Sequence, residues 1–544
     1  MLVLAAQLNP TIGDIPGNLA KILAALEKGQ KAKVDIVLYP ELSLCGYFPD
    51  DLLLDFRMIE ACQEALLVIA PQTKGMFVVV GLPRKNPSGV EKPLLNSAAI
   101  FIDGKFQGFK DKTLLPTYDV FDEKRYFEPG EKEAVWEYKG RLIAVTICED
   151  AWKFAYRKDP IQDLVKKKPD LLLNLSGSPY HFKKIDERLK VFGLAAKALQ
   201  CPVVFCNQVG GNDQLLFDGY SFHLNERAEL VSMAKGFIED LYVIDLSRKV
   251  LSQARCSGMK DLYSALILGV RDYFYKQGFQ KALLGLSGGV DSALVACIAK
   301  EALGSHNVHA LMMPSRYSSK GSLQDSEELA KKLNIKLSEV PIDPIFHEYL
   351  ATLRPNFQNL PENEAEENLQ SRIRGMILMA FSNKFGAIVL NTGNKSEMAM
   401  GYTTLYGDMV GGLGVLHDVT KTKVFELARL TQVIPQSILD KPPSAELKQN
   451  QLDTDTLPPY AILDPILEDY LEEELSIEEI AKRRKHPLDF IRSIVRRIHA
   501  AEFKRRQAPI SLRVTPKALN KGRIVPIVQK WQTPGKDVLN RWEF

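Results

Sequence analysis

The stretch Lys281–Lys300, KALLGLSGGVDSALVACIAK, decides the fold of the second half of this chain. KALLGL is a short apolar run with strand character. SGGVDS follows it as a turn, and ALVACIAKEALG continues with helical spacing. Gly285, Gly288 and Gly289 let the backbone come close to an anion. Ser287 and Ser292 add hydroxyl donors, and the helix behind them turns its free N–H groups and positive dipole end toward the same point. The loop is therefore built for phosphate, yet the GxxxxGK[ST] spacing of a Walker loop is absent. A strand, a glycine turn and a helix form the first unit of a doubly wound sheet. The apolar runs VHALMMP (308–314), IKLSEVPI (335–342) and GAIVLNTG (386–393) continue that alternation.

Working outward toward the N-terminus, strand-like runs recur at VDIVLYP (34–40), FVVVGLP (77–83), SAAIFID (97–103), RLIAVTIC (141–148), DLLLNLS (170–176) and CPVVFCN (201–207). NLAKILAALEKGQKA (18–32) has helical spacing. Strand signals end near Leu246. SRKVLSQARCSGM is polar and without period, which predicts a linker over 247–259 between a first domain, 1–246, and a second, 260–544. The basic stretch 476–506 reads as helices whose charge faces solvent.

Composition sets outer bounds. A chain of 544 residues exceeds one ordinary core. The net charge of +3 gives no reason to expect a nucleic-acid partner. No apolar run approaches the roughly 20 residues that span a bilayer, and MLVLAAQLNP lacks a signal peptide's basic start and cleavage site. Seven cysteines without paired spacing argue against a disulfide framework and for a reducing cytoplasm. Cys45, Cys62, Cys201, Cys206, Cys256 and Cys297 are expected to be structural.

Three ionisable residues stand at strand ends: Glu41, Lys112 and Cys148. By residue type alone, solvated side chains and a buried filler cysteine are the commoner reading. Together they suit attack on a carboxamide, with a thiolate nucleophile, a carboxylate to carry its proton and a cation over the oxyanion. Their surroundings decide between the two. YPELSLCGYFPDDLL (39–53), FKDKTLLPTYDVFDEKRYF (109–127) and ICEDAW (147–152) resemble the catalytic segments of the nitrilase, or carbon–nitrogen hydrolase, superfamily. That resemblance covers about the first 245 residues and implies an α-β-β-α sandwich. It makes Glu41 the general base, Lys112 the electrostatic stabiliser, Cys148 the nucleophile and Glu123 a supporting glutamate. It also implies Tyr118, Ser176 and Phe182 as glutamine contacts, and places Asp218 of NQVGGNDQLLFDGYS near the pocket.

The SGGVDS form resembles the N-type ATP pyrophosphatases, which cleave ATP between its α- and β-phosphates. With NTGNKSEMAMGYTTLYGDMVGG (391–412), HDVTKTKVFELA (417–428), PSRYSS (314–319), ENLQSRIRG (367–375), KPPSAEL (441–447) and QLDTDTLPPYAILD (451–464), the second half is similar to the NAD synthetase family. The resemblance implies a Rossmann-like doubly wound α/β fold. It implies ATP contacts from Gly285, Leu286, Ser287, Gly288, Gly289, Val290, Asp291, Ser292, Met313, Thr392 and Lys421. Deamido-NAD contacts are implied for Asn368, Arg372, Arg374, Glu397, Asp408 and Lys517, and Mg²⁺ for Asp291 and Glu397. Ser444 and Asp453 fall in an expected closing loop. At 519–520, Leu-Asn stands where that family's closing segment carries an aromatic–glycine pair.

The fusion implies ATP-dependent amidation of deamido-NAD⁺ through an adenylate. Ammonia would come from L-glutamine through an interior channel, and AMP, pyrophosphate and glutamate would be released. It also implies a homo-oligomer, a dimer or a larger ring. The alternatives are an amidotransferase–ATP pyrophosphatase fusion with another acceptor, such as GMP or asparagine synthesis, and a non-catalytic nitrilase-like module beside a nucleotide-binding domain. YGDMVGG and LPPYAILD disfavour the first, and the retention of Glu41, Lys112 and Cys148 disfavours the second.

Overall fold

Strand residues of the first half alternate between two apolar environments, and that alternation builds its layers. The computed structural model describes residues 1–89, 91–153, 156–248, 258–519 and 521–531. By its internal contacts the chain divides into two units, Met1–Lys276 and Gln277–Phe544.

In the first unit one six-stranded sheet runs in the order Asp240–Asp245, Leu2–Gln7, Ile36–Leu38, Phe77–Lys85, Leu94–Ile102, Lys105–Asp111. A second six-stranded sheet is centred on Arg141–Ile147, Leu171–Ser176 and Val203–Asn207. Val3, Ala5, Phe77 and Val79 pack with Ile143, Val145, Leu171 and Leu173 in one core between the sheets. Their neighbours Leu4, Ala6, Val78 and Val80 point to the other side, among Ile22, Leu26, Ile59 and Leu66 of helices Ile15–Lys31 and Phe56–Ile69. Leu172, Val203 and Phe205 likewise meet Phe192 and Ala196 of helix Lys184–Leu199. The result is the expected α-β-β-α sandwich.

Among the described residues the second unit carries five strands, all parallel, ordered Lys336–Glu339, Val308–Met312, Lys281–Gly285, Ala387–Asn394, Leu413–Leu416. Ranked by sequence this order is 3-2-1-4-5. The direction of winding therefore reverses between Lys281–Gly285 and Ala387–Asn394, where a doubly wound sheet opens a crevice at its carboxyl edge.

Two regions depart from the sequence reading. Helix Met259–Gln277, which covers the start of the expected second domain, packs in the first unit as far as Lys276. Its Leu262, Leu266, Val270 and Phe274 are buried, and Asp272 and Lys276 both bond to the 209–218 hairpin. The basic stretch 476–506 is helical but only in part a solvated face. Arg484 binds the buried Asp469, and Arg505 is itself buried against Glu502 and the carbonyls of Met398 and Ala399. The expected linker falls largely on residues 249–257, which with Cys256, Asn520 and the residues after Trp531 lie outside the described residues. The other six cysteines are buried and unpaired by disulfide. Among the described residues no helix is long and apolar enough to cross a membrane.

Candidate functional site

The first site forms where three strands of the sandwich end. Strand Ile36–Leu38 leads into Tyr39-Pro40-Glu41, and this turn presses on Gly81 so closely that a Cβ there would lie 2.5 Å from the Pro40 carbonyl oxygen. Lys112 follows strand Lys105–Asp111. Cys148 ends strand Arg141–Ile147 in a left-handed conformation, φ 41°, that a non-glycine residue adopts only when its surroundings impose it.

Glu41, Lys112 and Glu123 are buried together. The Lys112 ammonium donates to Glu41 Oε1 and to Glu123 Oε1, each at 2.7 Å. Asn96 Nδ2 donates to Glu41 Oε1 at 2.8 Å, and the Gly177 amide donates to Glu41 Oε2 at 3.0 Å. Tyr47 donates its hydroxyl to Glu123 Oε1 at 2.7 Å. Burial by itself would lower the Lys112 pKa, but Glu123 and Glu41 outweigh it and hold the ammonium well above its usual range. Burial pushes Glu123 up to about 7, against the pull of Lys112 and with a further push from Glu41. Burial also raises the Cys148 thiol well above its ordinary value, aided by Glu41 and opposed by Lys112. The cysteine thus rests as a thiol, and its proton must pass to a base before it can attack.

Tyr118 and Ser176 border this cluster. The Tyr118 hydroxyl donates to Glu149 at 3.0 Å, immediately beside Cys148, and Tyr156 donates to the same oxygen at 3.1 Å. Glu149 was not singled out by sequence reasoning. Its carboxyl is pushed by burial to about 7, with Lys112 opposing. Its position next to the nucleophile was the available signal. Ser176 is buried and donates to Asn174, and the next residue supplies the Gly177 amide. Phe182 is partly buried, with the Lys183 ammonium 5.5 Å from its ring centroid. Asp218 acts one step back, binding the buried Arg188 at 2.7 Å. Arg188 in turn donates to Ser178 and to the carbonyls of Ser178 and Pro179, which fixes the loop after Ser176.

The second site is a cavity of about 560 Å³ at the winding reversal of the parallel sheet. Every residue of the SGGVDS loop lines it, as do Gly285 and Leu286. Gly288 has φ +76°, and a Cβ there would sit 2.4 Å from the Ser322 carbonyl oxygen, so only glycine fits. Helix Val290–Leu303 starts at Gly289 with no side chain capping it, leaving its first N–H groups for the cavity. Ser292 Oγ accepts from the Ser287 amide and holds the loop's turn at 3.3 Å.

Met313, Asn368, Arg374, Thr392, Glu397, Asp408, Lys421, Ser444 and Asp453 also line this cavity. The Lys421 ammonium stands between two carboxylates, 2.5 Å from Asp291 Oδ2 and 3.3 Å from Glu397 Oε1. Burial raises Glu397 to about 8, with Lys421 opposing and Asp291 and Asp453 adding to the rise. Burial likewise brings Asp408 to about 6. Two expected residues lie elsewhere. Arg372 is two positions from Arg374, on the opposite face of helix Glu364–Phe385, and donates to the Leu405 carbonyl. Lys517 pairs with Glu474, away from the cavity lining. Sequence reasoning missed several further cations of the lining, among them Lys441, Arg497 and Lys504. Lys441 was legible as the first residue of KPPSAEL. The other two sit in the basic stretch read as a solvated face.

Residues 2–256 match the family model for carbon–nitrogen hydrolases, and residues 262–508 match that for NAD synthase. The chain is 46% identical to the glutamine-dependent NAD(+) synthetase of Synechocystis sp., over 97% of this chain and 99% of that one. This chain belongs to the glutamine-dependent NAD(+) synthetases. The relative from Thermotoga maritima is 40% identical, with 98% and 99% of the two chains covered. The structure of the Acinetobacter baumannii enzyme in complex with ADP superposes with a TM-score of 0.78 at 38% identity, covering 98% of this chain and 99% of that one. Membership makes this chain a ligase with a glutamine-hydrolysing half and an NAD synthase half, each with the fold described above.

Proposed function

We propose that Cys148, Glu41 and Lys112 hydrolyse L-glutamine, and that the cavity at residues 285–292 uses ATP to activate deamido-NAD⁺ for amidation by the ammonia released. The observation that carries this reading is the buried Glu41–Lys112–Glu123 cluster, whose charges act on Cys148 and whose burial is costly, as at functional sites.

In the first site Glu41 takes the Cys148 proton, and the thiolate adds to the carboxamide carbon of glutamine. Lys112 faces the oxyanion that develops. Glu41 returns the proton to the leaving nitrogen, ammonia departs and a thioester remains. Glu41 then activates water to hydrolyse it to glutamate. Glu149, steered by Tyr118 and Tyr156, presents a carboxylate to the α-ammonium of the substrate.

In the second site the helix start at Gly289 and the hydroxyls of Ser287 and Ser292 receive phosphate oxygens. The deamido-NAD carboxylate attacks the α-phosphorus of ATP, and pyrophosphate leaves. Ammonia adds to the resulting acyl carbon, and AMP leaves with the C–O bonding pair. Lys421 and Arg374 offset negative charge in this step. Asp291 and Glu397 are hard oxygen donors whose repulsion is only partly offset by Lys421, so they fit Mg²⁺. Among the described residues no cluster of three or more His, Cys, Asp or Glu is placed to hold a metal, so phosphate oxygens and water would complete its shell. Mg²⁺ there would neutralise the departing pyrophosphate. The reading extends to internal passage of ammonia, to a homo-oligomer and to a cytoplasmic setting, which the free, buried cysteines favour.

The test is a product assay with deamido-NAD⁺, ATP, Mg²⁺ and glutamine. NAD⁺, AMP, pyrophosphate and glutamate in equal amounts support the reading. Conversion of xanthylate or aspartate in place of deamido-NAD⁺ overturns it.

A further inference from the structure

Helix Met259–Gln277 lies almost wholly within the NAD synthase match, which begins at residue 262, yet its Asp272 and Lys276 bond among hydrolase residues. Asp272 Oδ2 accepts from the Gly211 amide at 2.8 Å and from Asn9 Nδ2 at 2.7 Å. One turn later the Lys276 ammonium uses its three N–H donors on Pro10 O at 3.0 Å, Gly211 O at 2.9 Å and Asn212 Oδ1 at 2.8 Å. The glycines of the hairpin make this approach possible. A Cβ on Gly210 would lie 2.0 Å from Asn9 Oδ1, and one on Gly211 would lie 3.3 Å from Asp272 Cβ.

The bonds continue inward. With its oxygen held by Lys276, the Asn212 amide has one direction left for its nitrogen, and it donates to the Tyr47 carbonyl at 2.8 Å. Tyr47 is a buried wedge in the first site. Its hydroxyl donates to Glu123 Oε1, the oxygen that also accepts from Lys112. Its ring lies against Gly177, where a Cβ would come within 2.8 Å of Tyr47 Cγ, and the Gly177 amide donates to Glu41. The seating of Tyr47 therefore bears on both carboxylates around Lys112.

We propose that Asp272 and Lys276 are positioning residues for glutamine hydrolysis, acting through Asn212 and Tyr47 on the Glu123–Lys112–Glu41 cluster. The proposal rests on the assignment of that cluster as the glutaminase centre. It also accounts for a costly choice of residue. Burial depresses the Lys276 pKa to about 8, with Asp272 opposing, Lys21 and Arg271 adding to the fall and Glu239 resisting it. An apolar side chain would pack there without that penalty but could not aim Asn212.

The experiment uses the full-length enzyme with Lys276→Met, assayed with glutamine and separately with ammonium salts. Expected is a fall in glutamine-supported kcat of about tenfold to a hundredfold, as for a small misplacement of catalytic groups. The KM for glutamine and the ammonium-supported rate should stay near wild type. The acid limb of the glutamine-supported pH profile should move upward, because a displaced Tyr47 no longer donates to Glu123, whose charged form that bond favours. Lys276→Arg, which still donates, should recover most of the turnover. Tyr47→Phe should show the same pH displacement, and the double variant should lose no more than the slower single one, since both cut one chain. If Lys276→Met does not fold, the isosteric Asp272→Asn carries the same test. Equal loss of both activities, an unmoved acid limb, or additive losses in the double variant would overturn the proposal. Cys148→Ala, run alongside, keeps the ammonium-supported rate if the glutaminase assignment holds. Loss of that rate sinks the assignment, whereas unchanged glutamine turnover in Lys276→Met sinks only the positioning role.

Discussion

Replacing Glu123 by glutamine tests the electrostatics of the first site directly. Glu123 is fully buried, and its carboxyl is raised from an ordinary 4.5 to about 7, chiefly by burial. A carboxyl whose pKa is higher folded than unfolded binds its proton more tightly in the native state. Its contribution is most favourable below pH 4.5 and is lost as pH rises to about 7. At about 1.4 kcal/mol for each tenfold in the acid constant, the loss is roughly 3 kcal/mol by pH 8. Glutamine cannot ionise and escapes that loss. It keeps an oxygen to accept from Lys112 and Tyr47, but its nitrogen replaces Oε2, which has no hydrogen-bond partner. A buried unpaired donor costs about 1–3 kcal/mol at every pH. Glu123→Gln should thus be less stable than wild type near pH 5 and should overtake or equal it by pH 8. The assay is hydrogen exchange of amides in strand Arg141–Ile147, which reads opening of the first unit without requiring that the whole chain unfold in one step. A stability difference that stays constant from pH 5 to pH 8 would refute the reasoning.

Two other substitutions separate the halves of the molecule. Gly288→Ala should abolish NAD⁺ formation with glutamine and with ammonium alike, because a Cβ 2.4 Å from the Ser322 carbonyl oxygen forces the phosphate-facing loop apart. Glutaminase activity assayed alone should survive. Arg188→Met leaves Asp218 buried without its partner, and should destabilise the first unit by about 3–5 kcal/mol, read from the urea midpoint of its hydrogen exchange.

Much of this was legible in the residues themselves. Continuous apolar runs such as FVVVGLP predicted strands buried on both faces, and the SGGVDS loop predicted a strand, a turn and a helix. Glu41, Lys112 and Cys148 were found from the words around them, and Glu41 and Lys112 meet at 2.7 Å. The rest depends on contacts between residues far apart in sequence, which local pattern does not encode. Tyr47 reads as one more core aromatic until Glu123, 76 residues on, accepts its hydroxyl. Arg505 reads as a solvated charge until the carbonyls of Met398 and Ala399, more than 100 residues earlier, surround it. The helix at 259–277 has the right period but conceals its allegiance, because Asp272 and Lys276 name no partner in sequence. Arg372 is different. Its offset of two from Arg374 already put the two on opposite helix faces, so one of them could have been set aside without a structure.

In the proposed reaction Cys148 frees ammonia and the cavity around residues 285–292 uses it. The most direct measurement is NAD⁺ formation by a Cys148→Ala enzyme supplied with deamido-NAD⁺, ATP and Mg²⁺, with glutamine in one reaction and an ammonium salt in the other. No product should form with glutamine, and formation with ammonium should stay near wild type. Equal loss in both reactions, or NAD⁺ formed from glutamine, would contradict it.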